Sequence, residues 1–211
     1  MRLRLKILNG DANYHSLFSH FGNTLTKGEN YDVLVLTGGS DVNPNFYGQP
    51  VLKQTGQLNI KRDEEEREEV IKAFQRGKIV VGICRGAQFL NVMNNGLLIQ
   101  DVSNHAGLNH YVWAKRKKGD EYVEVNSTHH QMMIPAPKMY ELWAWAEARS
   151  DYYLAPENHK PVLINRNGTI AEPEAIWYPD TQSLCIQWHP EFSVPSTPFR
   201  NLFFEYFNAI R

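Results

Sequence analysis

The chain has 211 residues, of which 42% are hydrophobic and 21% are charged, and its formal net charge is −1. That balance gives no electrostatic reason to expect nucleic acid or an anionic membrane as a partner. No window approaches the roughly 20 apolar residues needed to cross a bilayer, and the N-terminal sequence lacks the apolar core of a signal peptide. Two cysteines cannot build a disulfide framework, so the sequence predicts a cytoplasmic protein in a reducing compartment.

In the first half of the chain, predicted strands alternate with predicted helices. Residues 3–7 alternate apolar and polar side chains as a half-buried strand does, and residues 31–36 form the continuous apolar run of a central parallel strand. Helices are predicted at residues 14–21 and at residues 63–76, where an acidic first turn and Gly77 mark the two ends. This alternation predicts a parallel α/β sheet.

The next strand carries the most informative motif. The apolar run Ile79-Val80-Val81 leads into Gly82-Ile83-Cys84-Arg85-Gly86 and then into a helical stretch. The same strand–turn–helix pattern carries the nucleophilic serine of α/β-hydrolases, where flanking glycines allow a strained turn that exposes the side chain. The N-terminus of the following helix also favours a thiolate. Cys84 is therefore the predicted nucleophile, whereas Cys185, which lies mid-strand without glycine neighbours, is interpreted as a core residue.

The second half is less regular, and its patterns predict several strands followed by a closing helix. The strands are predicted at residues 122–126 and 141–148 and in a hairpin-like pair, and an amphipathic helix is predicted at residues 197–210. The hairpin-like pair comprises residues 175–178 and 183–187. We find no repeat or linker that would divide the chain, so residues 1–211 are predicted to form a single domain.

A thiolate nucleophile needs a base and a group that orients the base. His189 follows the predicted strand at residues 183–187, as Cys84 follows its own strand, and the carboxyl ends of parallel strands meet at one crevice. Glu191 could accept the imidazole N–H and fix its tautomer. Considered alone, His189 would be an ordinary loop or core histidine; together with the Cys84 turn, it is the predicted base.

These motifs carry a resemblance. Gly-Ile-Cys-Arg-Gly-x-Gln at residues 82–88 and Gln-Trp-His-Pro-Glu at residues 187–191 resemble the class I glutamine amidotransferase-like superfamily, and within it the γ-glutamyl hydrolase branch. Further stretches match in the same order: Gly38-Gly39-Ser40-Asp41-Val42-Asn43-Pro44, Arg62-Asp63-Glu64, Gln100-Asp101-Val102 and Val125-Asn126-Ser127-x-His129-His130-Gln131. The resemblance implies a flavodoxin-like three-layer α/β sandwich with a mostly parallel central sheet, a small antiparallel element in the second half, and no cofactor. Residues 9–30 match nothing in the family.

The resemblance also implies roles for individual residues. Cys84 would attack the side-chain amide carbonyl of a γ-glutamyl group, His189 would activate the thiol and protonate the leaving amine, and Glu191 would orient His189. The backbone N–H groups of Gly39 and Arg85 would stabilise the oxyanion. The residues expected to bind the glutamyl group are Gly38, Gln88, Asn126, Ser127, His129 and His130. Without the Cys84 motif, Gly38-Gly39 would be a simple turn, and Gln88 is equally compatible with a helix surface.

Other polar clusters have plainer interpretations. His105, His110 and the adjacent His129 and His130 lack partners at zinc-like spacing, so no metal is expected. The basic run at residues 115–120 is interpreted as a solvated hairpin turn rather than a nucleic-acid patch. The acidic residues between 63 and 69 are interpreted as an exposed helix face, although the family pattern keeps some of them near the site.

Three functions stay open at this point. The first is a stand-alone hydrolase that releases glutamate from a small γ-glutamyl amine or peptide through a thioester. The second is a glutaminase subunit that passes ammonia to a separate synthetase or ligase chain. The third is a non-catalytic binding or scaffolding domain, against which the joint presence of Cys84, His189 and Glu191 argues. The expected partner is the small γ-glutamyl substrate; a synthetase or ligase chain and a homodimer are left open.

Overall fold

The computed structural model describes residues 2–25, 28, 30–137, 140–157, 162–166, 168–192 and 197–211. Its α-helices are α1 (Ala12–Phe18), α2 (Ile60–Gln75), α3 (Arg85–Met93) and α4 (Pro198–Ala209). Its strands are β1 (Leu3–Leu8), β2 (Gly22–Leu25), β3 (Val33–Leu36), β4 (Ile79–Ile83), β5 (Leu97–Ile99), β6 (Asp101–Val102), β7 (His110–Ala114), β8 (Glu121–Val125), β9 (Met132–Ile134), β10 (Glu141–Glu147), β11 (Tyr153–Leu154), β12 (Ile164–Arg166), β13 (Thr169–Tyr178) and β14 (Ser183–Ile186). Short 3-10 helices lie at Pro44–Tyr47, Pro179–Thr181 and Pro190–Phe192.

Ten strands of the described chain form one mixed sheet. Their order is β2-β1-β3-β4-β14-β13-β10-β7-β8, with β12 paired to β13. Neighbouring strands are parallel from β2 to β14 and antiparallel from β14 to β8. The predicted α/β class is confirmed, but the antiparallel part is larger than the small element that we expected. The difference arises because the hairpins of the second half extend the parallel sheet instead of forming a separate unit.

The helices cover both faces of the parallel part of the sheet. In β3, Val33 and Val35 point into a core that also contains side chains of α1 and α4, whereas Leu34 and Leu36 point into a second core shared with α2 and α3. A strand that is buried on both faces needs a continuous apolar sequence, which is what residues 31–36 provide. The predicted three-layer arrangement is therefore confirmed.

The helix boundaries follow from local capping. Helix α2 begins at Ile60, earlier than predicted, because the Asn59 side chain accepts a hydrogen bond from the backbone N–H of Arg62. It ends where Gly77 takes a positive φ of 58°, as the sequence predicted. Helix α1 begins after Asp11, whose side chain caps it, and it ends at Phe18.

Residues 9–30, which match no motif of the resembled family, contribute α1 and the short edge strand β2 within their described part. Helix α1 packs beside the 3-10 helix Pro190–Phe192, so this segment reaches the region that follows β14. The basic run at residues 115–120 joins the antiparallel strands β7 and β8, as predicted. A single domain stays a prediction.

In the part of the chain that the structure describes, no helix combines the length and apolar composition that a membrane crossing would need.

Candidate active site

Cys84 occupies a strained turn between β4 and α3. Its φ is +52° and its ψ is −112°, a backbone conformation that residues with a side chain rarely adopt. The two flanking glycines are needed for close packing: a Cβ on Gly82 would lie 2.4 Å from the carbonyl oxygen of Gly86, and a Cβ on Gly86 would lie 2.4 Å from that of Leu36. The glycines thus let α3 leave the strand at once, with Cys84 at the turn.

His189 lies beside Cys84 because their strands are neighbours. β14 pairs with β4 in parallel, with Ile186 opposite Ile83, so the residues that follow both strands emerge at the same edge. His189 Nδ1–H donates to Glu191 Oε1 over 2.5 Å, and the Glu191 side chain is fully buried. The imidazole therefore has a fixed tautomer, with Nε2 left for the reaction.

Charge favours the protonated form of His189. Burial lowers the pKa of the imidazole, but hydrogen bonding and charge from Cys84 and Glu191 outweigh burial and raise that pKa to about 10. An imidazolium beside a cysteine stabilises the thiolate, which is the nucleophilic form. The three predicted catalytic residues are thus brought together in the order Cys84, His189, Glu191.

Two residues of the loop after β8 hold His189 in place. The Asn126 side chain donates to the carbonyl oxygen of His189 and accepts from its backbone N–H, both over 2.9 Å. The Thr128 hydroxyl lies 2.8 Å from His189 Nε2. Asn126 was expected to bind substrate, but its amide is engaged by the backbone of the catalytic histidine. Thr128 was not predicted, although it lies within the matched Asn-Ser-x-His-His segment.

The glycine loop (residues 37–39) faces the catalytic groups. A Cβ on Gly38 would lie 3.0 Å from His189 Cε1 and 3.2 Å from the Tyr14 hydroxyl, so only glycine fits without displacement. The Gly38 N–H donates to that hydroxyl over 2.9 Å. Among the described residues, the N–H groups of Gly39 and Arg85 have no acceptor. Their role as oxyanion donors at Cys84 stays a prediction.

Tyr14 is a site residue that the sequence did not reveal. It lies on α1, in the segment without family motifs, and only 6% of it is exposed. Burial and the nearby Glu191 carboxylate raise the pKa of its phenol, so the hydroxyl stays protonated. Helix α1 therefore contributes a group that hydrogen-bonds the glycine loop beside His189.

Beneath the glycine loop lies a buried charge cluster formed by Arg62, Asp63, Glu66 and Arg85. Arg85 pairs with both Asp63 and Glu66, and Arg62 Nε donates to Glu66 over 2.7 Å. Asp63, Glu66 and Arg85 are each at most 1% exposed. The expectation of an exposed helix face is therefore wrong for Asp63 and Glu66, which lie one turn apart on the side of α2 that meets α3.

The cluster also reaches the glycine loop through Arg62. Its guanidinium donates to the carbonyl oxygens of Thr37 and Gly38, each over 2.9 Å. A Cβ on Gly39, whose φ is +143°, would lie 2.3 Å from Arg62 Nη1. One ion network therefore contacts both segments that are predicted to supply the oxyanion donors, because it contains Arg85 and binds the glycine loop through Arg62. This explains why the matched Arg-Asp-x-x-Glu pattern lies at the site.

The other residues expected to bind substrate are more enclosed than predicted. Gln88 is 3% exposed and donates to the carbonyl oxygen of Gln131, and Ser127 is 4% exposed. The His129 ring lies in the interior against Glu174 rather than at the cleft. His130 is one-third exposed and lies between the carboxylates of Asp41 and Asp101, which raise its pKa to about 9 against the effect of burial.

Two further predictions concern residues away from Cys84. Cys185 is fully buried, and burial raises the pKa of its thiol, so its interpretation as a core residue is confirmed. The expectation that His105 and His110 lack partners is wrong. Both rings contact Glu174, and His105 also contacts Glu172, because β13 brings these carboxylates next to β7 residues that are distant in sequence.

Comparison with known proteins identifies related chains. The model of the Peptidase C26 family matches residues 25–191. Protein NtpR of Enterococcus hirae is 26% identical over 182 residues, with 83% of this chain and 73% of that protein covered. The glutamine amidotransferase-like protein YvdE of Lactococcus lactis is 27% identical over 193 residues, with 83% and 72% covered.

Among solved structures, a protein assigned as part of a GMP synthase from Thermoplasma acidophilum superimposes with a TM-score of 0.64. It is 15% identical and the match covers 100% of this chain and 94% of that one. At that identity the similarity establishes the fold, which is the one that the sequence predicted.

Proposed function

This chain belongs to the Peptidase C26 family, and we propose that it is a cysteine-dependent hydrolase that cleaves the γ-glutamyl amide bond of a small γ-glutamyl amine or peptide. As a member of that family, similar to glutamine amidotransferase-like proteins, it is an enzyme of the hydrolase or amidotransferase type. The observation that carries the finer proposal is the strained Cys84 turn beside an imidazole whose pKa both Cys84 and Glu191 raise. A core cysteine needs neither feature.

In the first half-reaction, the Cys84 thiolate attacks the side-chain amide carbon of the γ-glutamyl group, and the carbonyl electron pair moves onto oxygen. The resulting oxyanion is stabilised by the N–H groups of Gly39 and Arg85. His189 donates its Nε2 proton to the leaving nitrogen, the C–N bond breaks, and a γ-glutamyl thioester and a free amine result. Glu191 keeps Nδ1 protonated, so that Nε2 faces the reacting atoms.

In the second half-reaction, His189 Nε2 takes a proton from water as the oxygen attacks the thioester carbon. The tetrahedral intermediate uses the same two N–H donors and then expels the Cys84 thiolate, which His189 imidazolium again stabilises. Glutamate is released and the enzyme returns to its starting state. Both steps need a reduced thiol, in keeping with the cytoplasmic location predicted from the sequence, and both cysteines of the chain are free thiols.

The proposal is tested by hydrolysis with the purified chain against glutamine, γ-glutamyl-γ-aminobutyrate, γ-glutamyl-putrescine and γ-glutamyl peptides. Release of glutamate from one conjugate well above the rate for glutamine, and its loss in Cys84→Ala, would support the proposal and name the leaving group. Mild iodoacetamide treatment provides a parallel readout, because it is expected to label Cys84 and not the buried Cys185.

A glutaminase subunit is the second candidate function. The Thermoplasma protein that shares the fold is assigned as one component of a synthase, and such a role requires a partner chain. If no substrate of the panel releases glutamate while Cys84 still reacts with iodoacetamide, this candidate is favoured. A glutaminase rate that rises on adding a co-purified chain would establish it. A Cys84 that neither labels nor turns over substrate would overturn both enzymatic proposals.

A further inference from the structure

A second cluster of ionisable groups lies in the interior, outside the triad. We call His105, His110, His129 and Glu174 the histidine cluster. His105 lies in the loop before β7, His110 begins β7, His129 lies in the loop after β8, and Glu174 lies in the middle of β13. All four are at most 4% exposed. The cluster therefore joins four separate segments in a site that bulk water does not reach.

Three imidazole nitrogens surround one carboxylate oxygen. Glu174 Oε1 lies 2.9 Å from His110 Nε2, 3.3 Å from His129 Nε2 and 3.4 Å from His105 Nδ1. Donor atoms of His105, His110 and Glu174 also lie within 4.8 Å of one another. Ligands of a tetrahedral zinc ion, bound at about 2.0–2.1 Å, are separated by roughly 3.3–3.4 Å. The donor atoms of His105, His110 and Glu174 are thus near enough for one cation to draw them together, whereas His129 contacts Glu174 from outside that set.

Hydrogen bonds on the side of the rings away from Glu174 fix which ring nitrogens face this carboxylate. His105 Nε2 is 2.8 Å from Glu172 Oε2, and His129 Nδ1 is 3.0 Å from the Gln131 carbonyl oxygen; both oxygens accept, so both nitrogens are the N–H donors. His105 Nδ1 and His129 Nε2 are then the ring nitrogens that face Glu174. Within the described residues, neither nitrogen has a hydrogen-bond partner, nor does Glu174 Oε2.

Two buried carboxylates meet at the cluster. Glu174 lies among the three imidazoles, and Glu172 lies behind His105. Buried carboxylates are costly unless cations or hydrogen bonds compensate them, and a divalent cation would compensate both.

We propose that the histidine cluster binds one divalent transition-metal cation of the zinc class, with His105, His110 and the Glu174 carboxylate as its protein ligands. The donor set of nitrogen and one carboxylate suits zinc or cobalt rather than magnesium or calcium, which prefer oxygen ligands. Glu172 supplies the carboxylate behind a metal-binding histidine that commonly orients the ring. All three ligands are buried, so the proposed role of the ion is structural rather than catalytic.

The site would act on the catalytic machinery through a loop. His129 follows Thr128 directly, and Thr128 and Asn126 hold His189. A cation that fixes Glu174, which lies 3.3 Å from His129 Nε2, would therefore also steady the loop that holds His189. The inference is independent of the substrate, and its readout is metal binding and stability rather than glutamate release.

The test is titration of the chelator-treated full chain with Co²⁺, followed by visible absorption, together with metal analysis of protein purified without chelator. We expect the intense absorption of tetrahedral cobalt with an end point near one ion per chain, and a rise in unfolding temperature on adding Zn²⁺. Glu174→Gln should abolish this absorption, and Glu172→Gln should weaken Co²⁺ binding about 10–100-fold because it removes only the outer partner. The exposed Glu147→Gln is the matched control and should bind as the unaltered chain does.

Absence of tetrahedral cobalt absorption in the unaltered chain, with no bound metal and no Zn²⁺-dependent change in unfolding temperature, would overturn the proposal. These measurements need no variant, so the proposal stays falsifiable even if Glu174→Gln does not fold. Equal Co²⁺ absorption in the unaltered chain and in a folded Glu174→Gln variant would also overturn it, because the ion would then be bound elsewhere.

Discussion

Replacing Glu191 by glutamine should lower the pH above which the enzyme loses activity. The carboxylate is buried and lies 2.5 Å from His189 Nδ1, and glutamine keeps its shape while removing its charge. An adjacent opposite charge shifts a pKa by about 1–3 units, so the pKa of His189 should fall from about 10 to roughly 7–9. At 1.36 kcal/mol per unit, the imidazolium loses about 1–4 kcal/mol of stabilisation.

The same shift predicts how stability depends on pH. The pKa of His189 in the folded state is raised above its value of about 6.5 in the unfolded chain, so its contribution to folding is fully present below pH 6.5. That contribution is lost as the pH rises through about 10. In Glu191→Gln the loss should begin at lower pH, and the unfolding free energy measured in urea should be reduced at neutral pH.

The assay is the pH dependence of kcat/KM. In Glu191→Gln, the alkaline limb of this profile should move to lower pH by about 1–3 units, because turnover needs the His189 proton for the leaving group, and at neutral pH the rate should fall less than in His189→Ala. Glu68→Gln, on the exposed face of α2, is the matched control. Superimposable alkaline limbs would refute the idea that Glu191 holds charge on His189, and losses equal to those of His189→Ala would mean that it does more than orient.

Substitutions at three other positions test the strain and the supports of the site. Cys84→Gly and Cys84→Ala should both be inactive, but glycine relieves strain of about 1–3 kcal/mol at φ +52°, so in urea unfolding the glycine variant should be at least as stable. At the exposed Glu68 of α2, glycine is expected to be about 1 kcal/mol less stable than alanine, which provides the reference. If Cys84→Gly is less stable than Cys84→Ala by the same amount, the turn is not strained. Tyr14→Phe leaves a glycine-loop N–H without its acceptor and should cost about 1–3 kcal/mol of stability along with a lower kcat; unchanged values of both would contradict a supporting role. Arg62→Lys should lower kcat more than it raises KM, because lysine cannot hold both loop carbonyls, whereas Arg67→Lys on the exposed face should change neither parameter.

The sequence predicted the parts of the site that local patterns encode. The glycines around Cys84 have a steric requirement within one turn, so the motif alone indicates the bend. His189 and Glu191 could be predicted because a thiolate nucleophile needs a base, and both residues follow a predicted strand. That strand, β14, does lie parallel to β4. The parallel α/β sheet followed from the alternation of apolar strands with amphipathic helices, and the three-layer arrangement followed from the family resemblance.

The parts that the sequence did not predict depend on contacts between distant segments. Tyr14 reaches the glycine loop only because α1 packs beside the 3-10 helix Pro190–Phe192, which no local pattern shows. Asp63 and Glu66 looked like part of a solvated acidic run, because their partner Arg85 lies on another helix. The histidine cluster was missed for the same reason, since Glu174 comes from a strand that is remote from all three histidines in the sequence.

The position of β14 has a consequence for folding during synthesis on the ribosome. β14 is the last strand of the described chain, yet it lies between β4 and β13 near the middle of the ten-stranded sheet. Cys84 is synthesised early, whereas His189 reaches its position only after β14 has paired with β4. A nascent chain that ends before residue 189 therefore carries Cys84 without His189, and the proposed activity would begin only once the sheet is complete.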